Sequence, residues 1–466
     1  MEEIGNYAFE YSRELLIKAP VGSWAQKYSE ENGYRFEAVG SVAEAVEAEP
    51  AEPVLDPRSA HAVNEKECGL YRYKEKADGT AEITGVNDES VEILEIPAEL
   101  DGHKVTALGW SAFEFCSGLK EVTIPDSVES IGNYAFCYCK KLESINIPDS
   151  VSFIEDAAFA GCFNLSSIRI SPDHPFFSYE NDLLISRSDM TLLKYTGHDT
   201  GTLVLPENIK YIGTGVFEDS KLTSVVIPDG VIALGDYAFR GMDNLEEINL
   251  PDSVKRIGIQ EFCSCDKLTS FHIPAGLTEM EFGAFDYSRN LDTITVDPAN
   301  RVYEMRGNML VNKAKSMLYY HLDKDEGTFT VPEGIKIIGE SAFSGNNKLT
   351  EIIIPDSVEE IKSDAFYCCD NLVSVRLPNG LKSIAAFLFD GCTSLKSVTV
   401  PDGVETIQPH AFENCDSLEE VIIPASVTKM EGPVFRRSDK VVVRAPAGSC
   451  ARQYCEENGI RFEELK

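Results

Sequence analysis

The chain has 466 residues, too many for one ordinary compact domain, so several domains or a repeat array is expected. Its 43% hydrophobic and 26% charged side chains are the balance of a folded protein. With 77 acidic against 42 basic residues the formal net charge is −35, which repels phosphate backbones and anionic lipid and argues against nucleic-acid or membrane-surface binding.

Reading from the start, "MEEIGNYAFEYS" has neither the basic nor the apolar region of a signal peptide. From Ala19, "APVGSWAQKYSEENGYRFEAV" nearly repeats the end of the chain, "APAGSCARQYCEENGIRFEEL" from Ala445: residues 19–37 and 445–463 agree at thirteen of nineteen positions. Residues 1–37 are therefore read as the C-terminal-cap-like remnant of a preceding array, with more repeats expected upstream. Residues 38–66 are rich in Ala, Glu and Pro, cannot supply a core, and are expected to be a flexible linker. A partly helical spacer is the alternative for its first ten residues. From 67 the chain is predicted to open with a hairpin cap, Asp78-Gly79 at its turn.

A phrase then recurs. "VTIPDSVESIGNYAFCYCKKL" begins at Val122, and "IIIPDSVEEIKSDAFYCCDNL" at Ile352. The prolines fall 23 residues apart at Pro125 and Pro148, and again at Pro332, Pro355 and Pro378. A fixed period in the twenties marks a solenoid. Within one unit Ile145 and Ile147 share one face of a predicted strand while Asn146 faces away. Pro148 ends the strand and Asp149-Ser150 supplies turn chemistry. Val151 and Ile154, then Phe159 and Cys162, are three apart, the spacing of short helical or 3-10 turns. One coil buries too little apolar surface to offset the ~1–2 kcal/mol of backbone entropy lost per residue. Only stacked coils are stable, so copying is required.

Two units break the rhythm with steps of 35 residues, Ser171 to Pro206 and Asp297 to Pro332, each read as a coil bearing a β-hairpin insert. Twelve other coils carry the phenylalanine, from Phe113 to Phe435. The fold class predicted for 67–444 is a repeat solenoid with one long parallel β-sheet, on the order of 65 Å at ~4.8 Å per strand, and helical or 3-10 turns opposite it. Residues 445–466 are read as a C-terminal cap of helix and strand, with Ser449 as N-cap and Gly459 beyond the helix end.

The run Ile-Pro-Asp-Ser-Val, then Ile-Gly, Ala-Phe, Cys and Leu, resembles the BspA-like leucine-rich repeat family, as do the hairpin coils and "YRYKEKADGTAEITG". The resemblance covers residues 68–466 and again 1–37. It implies a bacterial leucine-rich repeat protein, secreted or displayed on the cell surface, that adheres to or binds host or neighbouring-cell proteins. The missing signal peptide and wall anchor leave the cytoplasm as the alternative location. A monomer is expected.

No catalytic constellation is found. Seven of the thirteen cysteines (Cys116, Cys139, Cys162, Cys265, Cys369, Cys392 and Cys415) stand three after the repeat phenylalanine and read as small buried hydrophobes. Cys137-x-Cys139 and Cys263-x-Cys265 lack zinc spacing, and no two of the seven histidines form a His-x-x-x-His pair. No metal or cofactor is expected. Residues 323–334 fail the calcium-loop pattern and read as a solvated turn.

Binding is therefore expected on the exposed sheet face, at Thr123, Asn146, Arg169, Val226, Asn249, His272, Thr295, Ile353, Arg376 and Thr399. This column also holds Val204 and Ile422 and contains no aromatic residue. The hairpin inserts carry aromatics instead (Phe176, Phe177, Tyr179, Tyr303, Tyr319 and Tyr320) and rank as an equal candidate. The function expected is a non-enzymatic binding or adhesion module for protein partners. The alternative is a passive spacer or stalk of a larger surface protein.

Overall fold

A computed structural model describes residues 65–465 and, before them, two short strands, Leu16–Ala19 and Arg35–Ala38. The chain divides into two units, 1–63 and 64–466. In the first, the two strands pair in parallel from Leu16↔Arg35 to Ala19↔Ala38. The remainder of the expected cap remnant, and the linker from residue 39 to 64, lie outside the described residues.

The second unit opens with three short strands. Strands Lys66–Cys68, Tyr71–Glu75 and Ala81–Val86 run antiparallel. Between the last two, Asp78 Oδ1 accepts the Thr80 N–H at 2.9 Å. Tyr73 and Ile83 point inward and cover the first coil, and Ala81–Val86 continues in parallel with His103–Leu108.

Each coil begins with a front strand. Val122, Ile145 and Ile168 lie in register and are buried, so the alternating pattern places one column inside and the next outside. The proline then turns the chain: its carbonyl accepts the N–H three residues on, as in Val128 to Pro125 and Val151 to Pro148. Next comes a back strand of two residues, such as Ser130–Ile131 or Phe153–Ile154, in parallel with its neighbours. The helical or 3-10 turns predicted here are isolated turns flanking this second ladder. Among the described residues the regular helix is Cys450–Asn458.

The repeat's Ile-Gly follows from coil spacing. A Cβ on Gly258 would lie 2.5 Å from the backbone carbon and oxygen of Gly235, whose own Cβ would lie 2.7 Å from Gly213. After the glycine a tight turn drives the phenylalanine inward. The residues two before and two after it take positive φ, as at Tyr134 and Tyr138 around Phe136. The Phe136 N–H donates to Ala158 of the next coil at 2.9 Å, making a third ladder. The rings stack along the array, with centroids 5.5 Å apart from Phe366 to Phe389 and from Phe389 to Phe412.

The single long sheet expected from the repeat is four front segments, of four, three, two and seven strands. Two of the three breaks fall at the hairpin coils. There, strands Phe177–Glu180, Leu183–Ser186 and Thr191–Tyr195 form an antiparallel meander, and Tyr303–Arg306, Met309–Asn312 and Met317–His321 repeat it. The last strand of each joins the back ladder. All four residues of Leu183–Ser186 and of Met309–Asn312 are buried. Their alternating side chains serve different cores: Leu184 packs with the coils before it, Leu183 and Ile185 with those after. Likewise Leu310 packs backward, Met309 and Val311 forward. The hairpins are walls between three successive cores.

The array closes with the helix Cys450–Asn458 and the strand Arg461–Glu464. Ser449 Oγ accepts the Arg452 N–H, and Gly459 ends the helix in the left-handed region. Arg461–Glu464 pairs in parallel with Val442–Ala445 from Val442↔Arg461, the same nineteen-residue offset as the pair in residues 1–63.

Candidate functional site

The front column stands where the alternation puts it. Thr123, Arg169, Val226, Asn249, His272, Thr295, Arg376 and Thr399 are exposed, and Asn146 and Ile353 are half-buried. The structure brings them together in short rows: Asn146 beside Arg169, Val204 beside Val226 and then Asn249, His272 beside Thr295, Ile353 beside Arg376.

Several members are engaged locally. Asn146 accepts the Ile124 N–H at 2.7 Å and donates to the Ile124 carbonyl at 2.8 Å, completing the ladder where the strand ends. Arg169 pairs with Glu121 at 3.0 Å, and His272 Nδ1 lies 2.9 Å from Thr295 Oγ1. Val204 and Val226 are different: they are 67% and 45% exposed and adjoin in register.

The hairpin aromatics require a correction. Phe177, Tyr303 and Tyr319 are buried, so they line cores and not a surface. Tyr319 donates its hydroxyl to the Glu281 carbonyl. Tyr179 and Tyr320 are half-buried, Tyr179 bonded to Thr196 at 2.6 Å and Tyr320 packed on Phe285. Only Phe176 of the six is exposed. The wall function explains this: both hairpin faces are covered by neighbouring coils.

The hairpin coils also replace the phenylalanine turn. Tyr195 packs tilted against Phe217 and His321 stacks on Phe343, each taking a ring position in the column. His321 is buried, which pushes its pKa down, while Asp325 at 2.9 Å opposes the shift.

With that turn missing, residues of the flanking coils meet across the gap. At the first hairpin, Asp156 accepts from the Thr214 hydroxyl at 2.6 Å and backbone at 3.0 Å. Glu218 lies 3.3 Å from the Tyr138 hydroxyl and 3.8 Å from Arg240. Burial raises the Glu218 pKa, with Arg240 and the buried Lys194 opposing. Sequence reading missed this cluster, whose members are up to 102 residues apart. The one available signal was a lysine inside an apolar strand, "TLLKY".

The cysteine column is buried as expected, but it is not merely apolar. Cys139, Cys162, Cys369, Cys392 and Cys415 each donate Sγ–H to the carbonyl of a phenylalanine 26 residues earlier, at 3.0–3.1 Å. Ser288 and Ser438 do the same at 2.6 Å. All thirteen cysteines are free. Burial pushes the thiols of Cys162 and Cys415 up to about 12 and that of Cys116 to about 11. Among the described residues, no cluster of three His, Cys, Asp or Glu can hold a metal ion, and no helix is long and apolar enough to cross a membrane.

The family model described as BspA type leucine-rich repeat region matches in six copies over residues 90–181, 194–310 and 318–442. A leucine-rich cell surface protein of Faecalibacterium prausnitzii A2-165 is similar at 27% identity and TM-score 0.49, over 86% of this chain and 98% of that one. The pneumococcal vaccine antigen PcpA is similar at 16% identity and TM-score 0.50, over 86% and 98%. A leucine-rich repeat protein of Bacteroides ovatus is similar at 24% identity and TM-score 0.36, over 89% and 100%. No curated protein matches the chain. With the family model covering well over half of its residues, the chain belongs to the BspA-type leucine-rich repeat family.

Proposed function

We propose that the chain is a non-enzymatic binding module at a bacterial surface, engaging a protein partner through the front ladder. The observation that carries this reading is the exposed, register-paired Val204 and Val226 beside Asn249. Apolar β-branched side chains on an exposed sheet face gain free energy when a partner covers them. Membership of the family supports the surface location. The test is adhesion of fluorescently labelled full chain to epithelial cells. Binding is expected to saturate and to fall at least about tenfold in Val204→Glu/Val226→Glu, since two buried valines contribute more than ~1.4 kcal/mol. Saturable binding that the double variant leaves unchanged would refute the face.

A second reading, a passive spacer or stalk of a larger surface protein, is favoured by the strand pair in residues 1–63, which repeats the offset with which the long array closes. Under it, neither chain adheres saturably.

A further inference from the structure

At the second hairpin the same missing turn leaves a cleft of about 360 Å³. Asp286 and Tyr287 come from the coil before the hairpin, Asp364, Tyr367, Phe387 and Asp390 from coils after it. No Lys, Arg or His lines it. Asp286 is only 3% exposed, and its Oδ1 has no hydrogen-bond partner. A buried carboxylate oxygen left unsatisfied is costly, and Asp286 stands in the wall of the cleft, where an entering donor would meet it.

The first hairpin gap supplies a comparison. There two cations of the chain itself, Lys194 and Arg240, lie close to Glu218. Lys194 directly precedes Tyr195, the ring that replaces the phenylalanine; the residue before the equivalent His321 is Tyr320. Arg240 directly follows Phe239, and the residue after the equivalent Phe366 is Tyr367. Both internal cations are thus replaced by tyrosines at the second gap, where three aspartates, Asp286, Asp364 and Asp390, line the cleft.

We propose that this cleft binds an arginine side chain of a partner protein, its guanidinium donating to Asp286 and Asp364 and lying against Tyr287 and Tyr367. A planar fork of donors suits two carboxylates, and aromatic faces favour a guanidinium. A bare metal ion is disfavoured because no three ligands converge among the described residues. The electrostatics agree. Burial first, then mutual repulsion with Glu340, Asp286 and Asp390, pushes the Asp364 carboxyl up to about 7. Asp286 rises to about 7 through burial, against its hydrogen bond with Ser341. An incoming cation removes that penalty. The cleft is separate from the Val204–Val226 face, so either proposal can fail alone.

The test is calorimetric titration of the full chain with acetyl-Gly-Arg-Gly-amide, and with the citrulline peptide as its uncharged isostere. A single-site isotherm is expected, with a dissociation constant on the order of 1 mM or tighter. Citrulline should bind at least about tenfold more weakly, because a charge-assisted hydrogen bond is lost. Asp286→Asn and Asp364→Asn should each lower affinity about tenfold. Tyr367→Arg, which supplies the cation found at the first gap, should abolish binding while far-ultraviolet circular dichroism stays unchanged and the unfolding transition is not lowered. Equal binding of the citrulline peptide, tighter binding of spermidine or maltose, no saturation by the arginine peptide, or full affinity in folded Tyr367→Arg would each overturn the assignment.

Discussion

Adjacent residues of one hairpin wall should weaken different parts of the array. Leu310 and Val311 are both fully buried, yet Leu310 belongs to the core before the second hairpin and Val311 to the core after it. Leu310→Ala removes three carbons, ~2.4 kcal/mol at ~0.8 per methylene, and an unfilled cavity brings the cost to about 3–4 kcal/mol. Val311→Ala removes two, for about 2 kcal/mol. In a repeat array each coil is coupled chiefly to its neighbours, so the loss stays on the side that the side chain faced. Native-state hydrogen exchange read by mass spectrometry resolves this. Leu310→Ala should lower protection by about 100- to 1,000-fold in residues 205–294, and Val311→Ala on the order of 30-fold in residues 335–445. The same segment losing protection in both variants, or an even loss along the array, would refute the wall.

Cys392→Ser should change stability by less than about 1 kcal/mol in urea unfolding, because serine already makes this bond at Ser288 and Ser438; a loss above about 2 kcal/mol would return the column to a purely apolar role. Gly258→Ala forces a Cβ to 2.5 Å from Gly235 and should cost about 1–3 kcal/mol, seen as a lower Tm; an unchanged Tm would show that the coils separate without penalty. The Asp286 carboxyl is raised when folded, so its contribution to stability is fully present below the unfolded pKa of 3.8 and is lost as pH rises through about 7. Asp364, Asp390, Tyr287, Tyr367 and Ser341 face the same cleft and carry no positive charge. Asp286→Asn should therefore be more stable than the parent by about 2–4 kcal/mol at about pH 8, and should match it near about pH 4. Equal stability of the two at both pH values would remove the buried charge from the account.

The period, the phenylalanine column, the hairpin positions and the closing helix were all legible because each leaves a repeated residue type at a fixed step. The back ladder was not. Ser130–Ile131 offers one inward isoleucine per coil, and a two-residue strand has no alternation to detect. In "LLIS" and "MLVN" the continuous apolar runs indicated strands, but which core each side chain joins depends on coils that fold over them from both directions. Tyr303 and Tyr319 therefore read as surface aromatics until the next coil covered them. Of the candidate surfaces, the front column follows from period two alone, which turns its residues to the outer side of their strands and leaves Asn146 and Ile353 half-buried. The acidic cleft escaped because Asp286 and Asp390 lie 104 residues apart. Its trace in the sequence was the replacement of Lys194 and Arg240 by Tyr320 and Tyr367 between corresponding coils.

Thirteen cysteines would ordinarily tie a protein to one redox compartment, needing either reductant to keep them apart or oxidant to join them. In this column the sulfur is bound to a carbonyl and shielded from solvent, and burial holds the Cys415 thiol in its unreactive protonated form at neutral pH. Transfer from a reducing to an oxidising environment would leave these thiols as they are, and oxidation would fall instead on the part-exposed Cys68, Cys368 and Cys450.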